Sequence, residues 1–253
     1  MNTLLLSIQQ TGAGVFEGYV GIRLGEGQMV NDVLFACILG LFVCFSFMYR
    51  QNFRLFLKMV QDVYTVKERQ SLFLLSSNNE SFFRAYMNFQ MLALCSISLF
   101  SIARIKGYTE GFREMDLLLG LLVLFMILLT YYFMRQLLYS CLCHTFFDRN
   151  KYKLWKNNYD AVMESWGVLL YVPVLWLVFV GNYPDIPIWL FIILFILSRL
   201  VIIYKLIRIF HIKSDGILYL ILYLCTQEIL PLVFLYEGLV YLYNFIETNT
   251  LWH

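Results

Sequence analysis

The block "LLLGLLVLFMILL", residues 117–129, carries no charge and no alternation of polar and apolar positions. It is apolar on every face, so as a helix in water it would have no side to turn outward. Hydrocarbon removes that problem. A helix also satisfies its own backbone hydrogen bonds there, whereas a lone strand does not. A membrane barrel would show short segments alternating in polarity. The fold class read from this pattern is all-α, a polytopic transmembrane helical bundle.

Crossing about 30 Å of hydrocarbon takes about 20 mainly apolar residues. Six stretches qualify: residues 30–49, 85–103, 115–134, 161–181, 186–204 and 216–244. The composition agrees, with 60% hydrophobic and 14% charged residues, against about 25% charged in a typical soluble domain. The turn "GNYPDIP" between the fourth and fifth stretches predicts a hairpin. The sixth stretch is long enough to be kinked, tilted or extended beyond the bilayer.

Lys and Arg set the orientation. With the N-terminus outside, fourteen fall on inward segments, from Arg50 to Lys213. Four fall outward, Arg23, Arg104, Lys106 and Arg113, and Arg199 lies within a span. This bias predicts both termini on the outer, periplasmic side, hence an even number of spans. "MNTLLLSIQQ" lacks the basic start of a cleavable signal. The expected organisation is a short external segment (1–29), a six-helix transmembrane domain (30–245) and a short external tail (246–253).

The inward stretch "RQNFRLFLKMVQDVYTVKERQSLFLL" mixes bulky apolar and basic residues at helical spacing. It reads either as an amphipathic helix on the membrane surface or as an extension of the first helix. "HTFFDRNKYKLWKNNYD" is basic too, as an inner loop should be. With a net charge of only +2, neither calls for a nucleic-acid partner.

Cys37, Cys44, Cys95 and Cys225 fall inside spans and are expected as buried packing residues rather than a disulfide framework. "CLCH", Cys141 to His144, offers three zinc-type ligands. In a continuous helix Cys141 and Cys143 point apart, and no metal site is expected. No phosphate loop, dinucleotide fingerprint, zinc-protease motif or nucleophile elbow is present. No cofactor is expected.

The remaining information lies in ionisable side chains within spans, which cost roughly 2.5–3.5 kcal/mol at a helix centre and so turn inward. Three qualify: Glu164, Arg199 and Glu228. From helical rise, Glu164 lies near the inner end, Arg199 a little deeper, and Glu228 near mid-membrane. A Glu164–Arg199–Glu228 cluster is the expected buried polar node. Pro231 cannot bond the carbonyl of Gln227, which adds a polar atom beside Glu228. Pro173 does the same to the carbonyl of Leu169 in the fourth span. Such a node either binds an ion or substrate at an interrupted helix or fixes helix packing. All four prolines lie in the second half, so an inverted repeat finds no support.

"SRLVIIYKLIRIF" followed by "LYLCTQEILPL" resembles the C-terminal signature of an uncharacterised multi-pass inner-membrane family of Bacteroidota, catalogued as a domain of unknown function. The matching positions are Arg199, Tyr204, Arg208, Leu222, Tyr223, Cys225, Thr226, Glu228, Ile229, Leu230, Pro231 and Leu232. The resemblance implies a bacterial inner membrane and a helical bundle, and it supplies no catalytic activity to carry over. The preferred reading is a non-enzymatic membrane protein, a subunit or assembly factor of a cell-envelope complex, in contact with the lipid bilayer and with a protein partner or a second copy. The alternatives are a small transporter or proton-coupled carrier using the intramembrane Glu/Arg site and an intramembrane lipid-modifying enzyme.

Overall fold

A computed structural model describes residues 28–64, 78–109, 113–146, 149–180 and 183–210, with residues 233, 236–238 and 240 described singly. The sixth apolar stretch and both ends therefore lie almost wholly outside the described residues. All seven elements with continuous bounds are helices: α1 (Gln28–Gln51), α2 (Phe53–Tyr64), α3 (Asn78–Ile105), α4 (Glu114–Phe146), α5 (Arg149–Leu169), α6 (Tyr171–Phe179) and α7 (Asp185–Phe210).

Five stretches are long and apolar enough to cross a bilayer: Met29–Gln51, Glu80–Ile105, Glu114–Leu138, Trp155–Phe179 and Asp185–Lys205. They coincide with the first five expected spans, and the chain is an integral membrane protein.

The first span stops at Asn52, whose backbone N–H closes the last turn of α1 on the Met48 carbonyl (2.9 Å). Its own carbonyl accepts from Leu55 and Phe56, which starts α2. Edge-to-face rings line this elbow, Tyr49 against Phe53 and Phe56 at 5.4 and 5.1 Å. The basic stretch after the first span thus begins as a separate amphipathic helix and not as an extension of α1. Met59 on its buried face packs with Phe83, Met87 and Ala161.

At its far end α3 closes in a Schellman turn. Tyr108 N–H reaches the Ala103 carbonyl (3.1 Å) and Gly107 N–H the Arg104 carbonyl (3.1 Å). Gly107 sits at φ 81°, the left-handed position where a glycine has no Cβ to clash.

The fourth span divides at Leu170 into α5 and α6. Leu170 N–H still bonds Trp166 and its carbonyl accepts from Val174 (3.0 and 3.1 Å). Pro173, buried in the first turn of α6, has no N–H to offer Leu169, so the ladder lapses where the sequence places the freed carbonyl. The expected hairpin also forms, with α6 and α7 packed together.

The bundle has a centre and a periphery. In α3, 61% of the most apolar stretch is buried, and 56% in α5–α6, against 11% in α4. Leu94, Trp166, Leu170, Val174 and Ile202 fill the middle. Leu119, Leu122 and Phe133 of α4 face outward, each more than 60% exposed, as a lipid-facing wall would. Two buried serines bond back to their own helices, Ser98 to the Leu94 carbonyl (2.9 Å) and Ser198 to that of Phe195 (2.7 Å), which satisfies them without water.

The cysteine expectation needs correcting. Cys37 and Cys44 are exposed on α1, and Cys95 of α3 is half-buried, all as free thiols. A thiol behaves as a small hydrophobe, so a lipid-facing helix surface accommodates it as readily as a core. Cys225 lies outside the described residues.

Candidate functional site

The ion pairs among the described residues gather at one end of the bundle, where α1, α4 and α7 finish and α3 and α5 begin. Glu80 and Arg84 lie one turn apart on α3 and pair at 3.2 Å, the (i, i+4) spacing that brings side chains face to face. Glu80 also takes Lys58 of α2 at 3.4 Å. The other side of the Arg84 guanidinium points to Glu164 of α5, with Nη1 to Oε1 at 4.0 Å. Asp160, one turn earlier on α5, adds a third carboxylate to the field at Arg84. Glu80 and Arg84 together therefore tie α3 to α2 and to α5.

A second tie comes from α7. Lys205, only 2% exposed, donates to Asn158 Oδ1 of α5 (3.1 Å) and to the backbone carbonyl of Asp62 near the end of α2. The ammonium leaves water in exchange for an amide oxygen and a carbonyl, groups that satisfy it without a carboxylate. Asp62 itself feels Lys58, Arg84 and Lys205. Even so, burial is the largest influence on its carboxyl and holds the pKa above the ordinary 3.8.

Glu164 is buried at 1% exposure, and neither of its carboxylate oxygens has a hydrogen-bond partner among the described residues. Its ion pair is with Arg84. Arg199 lies on α7 with its guanidinium carbon 4.8 Å from the centre of the Phe195 ring. Gln227, Glu228 and Pro231 lie outside the described residues, and with them the part of the expected node that belonged to the sixth span. Two of its five members are thus placed, Glu164 and Arg199.

Sequence reasoning missed Arg84, Asp160 and Lys205, although each left a signal. The apolar runs were bounded at residues 85, 161 and 204, and these three charges stand one position outside those bounds. The helices run on through them. The pairs Glu80/Arg84 and Asp160/Glu164 at (i, i+4) were the clue. No cluster of three metal-type ligands occurs among the described residues.

The same region lies within a recognised family. The model for "Domain of unknown function (DUF4271)" matches residues 34–239. The chain belongs to this family. No curated protein and no solved structure matches it. The matched span takes in the whole charged end, from Lys58 to Lys205, and the unplaced Glu228 and Pro231.

Proposed function

We propose that the chain is a non-enzymatic integral protein of the bacterial inner membrane that serves as a subunit or assembly factor of a cell-envelope complex, with its basic end on the inner side and both termini outside. The observation that carries the reading is how the charges are spent. Lys58, Glu80, Arg84 and Lys205 each join one helix to another, and together they hold α2 against α3, α5 and α7. Buried charge that fixes helix register and orientation is a structural use of ion pairs. It leaves α2 as a fixed basic helix with Phe53, Arg54, Leu57 and Gln61 outward.

The test is isolation from native membranes in a mild detergent, followed by native mass spectrometry. A complex of fixed stoichiometry is expected, and it should be lost in Leu57→Glu while the variant chain stays monodisperse. A monomer in both preparations would defeat the reading.

One observation favours a second reading, a proton-coupled carrier. Glu164 is a buried carboxylate without a hydrogen-bond partner among the described residues, beside Asp160 on the same helix face. Proteoliposomes with a trapped pH dye distinguish the two. Proton flux abolished by Glu164→Gln, with unchanged thermal stability, would establish the carrier.

A further inference from the structure

Three hydrogen bonds at the charged end converge on a single atom. Glu80 Oε1 accepts from Arg84 Nε and Nη2 (3.3 and 3.2 Å) and from Lys58 Nζ (3.4 Å). Each is longer than the about 2.7–2.9 Å usual for charged pairs, as expected of donors that crowd one oxygen. On the far side of the guanidinium the opposite holds. Arg84 Nη1 and both carboxyl oxygens of Glu164 have no hydrogen-bond partner among the described residues. Nη1 stands 4.0 Å from Glu164 Oε1, about 1 Å beyond a charge-assisted hydrogen bond. One acceptor is oversupplied while its neighbour goes without.

Glu164 meets ionisable groups from each helix packed on α5. From α3 come Arg84 and Glu80, from α2 Asp62 and, through Glu80, Lys58, and from α5 itself Asp160. Tyr132 of α4 also feels its charge, and Arg135 of the same helix lies over Tyr159. On α7, Lys205 holds Asn158, and Arg199 lies over Phe195, whose ring meets Trp166. Arg84 is the cation that reaches Glu164, at 4.0 Å. A buried carboxylate with no donor on either oxygen is a costly charge, and a proton removes that charge.

We propose that Arg84 is a switch whose partner is set by a proton on Glu164. With the carboxyl neutral, the guanidinium rests on Glu80, which it shares with Lys58. Once the proton leaves for water, the guanidinium closes the gap of about 1 Å to Glu164 and yields Glu80 to Lys58. The exchange runs both ways, because coupling between two sites is reciprocal. Whatever holds Lys58 on Glu80 frees Arg84 and eases release of the proton. Lys58 belongs to α2, so a partner that shifts this helix sets the proton on Glu164. That consequence rests on the reading of α2 as a docking helix, whereas the exchange itself is a property of the chain alone.

The test follows the infrared carbonyl band of the neutral Glu164 carboxyl across pH in the purified full chain, the band being assigned by its loss in Glu164→Gln. Lys58→Met removes the rival donor at Glu80 and ties Arg84 there. It should raise the proton affinity of Glu164 about tenfold, the scale of one charge-assisted hydrogen bond. Glu80→Gln frees Arg84 and should lower that affinity by a similar factor. Arg84→Lys keeps the charge but loses the planar fork, and in that background Lys58→Met should move the midpoint little. An equal shift in both backgrounds would assign it to the bare charge of Lys58 and overturns the switch. No shift in either background overturns it too, as does the absence of a neutral carboxyl band for Glu164. A chain isolated without a partner would count against the subunit reading alone and leave these midpoints to stand.

Discussion

Gly167 of α5 meets Met91 of α3 so closely that a Cβ placed on the glycine would lie 2.7 Å from the methionine Cβ and 3.2 Å from its Cα. No flexible side-chain end is involved, so neither atom can swing away. Two central helices therefore touch almost backbone to backbone, the approach that small residues permit inside a membrane.

Gly167→Ala should accordingly destabilise the bundle by about 1–3 kcal/mol, the usual cost of overpacking a tight core. Thermal unfolding in detergent measures it. Met91→Ala should not rescue the variant, because alanine keeps the offending Cβ. Met91→Gly should rescue part of the loss. Rescue by Met91→Ala would show that the contact is looser than described.

Glu80→Gln removes the carboxylate shared by Lys58 and Arg84. The expected loss is about 1–3 kcal/mol, as for hydrogen bonds to charged groups. It should be local, appearing as faster amide exchange across residues 53–64 with α3 and α5 unchanged. Uniform loss of protection along all helices would contradict the local joint.

Lys205→Met tests the other joint. Its long apolar side chain fills the space but cannot donate to Asn158 or to the Asp62 carbonyl. Exchange should rise toward the end of α2, near Asp62, while the elbow at Asn52 holds. Lys205→Arg should restore part of the protection, since it keeps donors at the site.

Asp62 supplies a pH dependence of known sign. Its folded-state pKa lies above the ordinary 3.8 because burial penalises the charged carboxylate. The folded state then binds the proton more tightly than the unfolded chain. This contribution to stability is fully present below the unfolded pKa and is lost as pH rises through the folded one. Asp62→Asn should remove that part of the pH slope and raise Tm at neutral pH. A lower Tm for Asp62→Asn at neutral pH would mean that the attraction of Lys58, Arg84 and Lys205 outweighs burial.

Hydropathy made the first five spans legible, since a run such as residues 117–129 has one physical home. Pro173 likewise announced the break at Leu170. The charged joint was less legible, for a reason visible in Arg84, Asp160 and Lys205. A span is drawn where apolar residues stop, yet a helix stops only where its hydrogen bonds do. Charges in that overlap look like loop residues in one dimension and are core residues in three. Gly167 gave no warning, because a glycine needed for helix contact and a tolerated one read alike. Gly40 and Gly120 meet nothing within 4 Å.

The latch between Lys205 and the Asp62 carbonyl joins positions 143 residues apart. During synthesis α2 therefore leaves the ribosome long before its lysine exists. At about 5–20 residues per second, the wait is roughly 7–30 s. Over that interval α2 is restrained by its elbow with α1 and by the start of α3, where Glu80 takes Lys58. The nascent chain thus holds a basic amphipathic helix only partly seated for seconds, with Met59 covered by Phe83 and Met87 but not yet by Ala161, and its final seat forms only after the fifth apolar helix has been made.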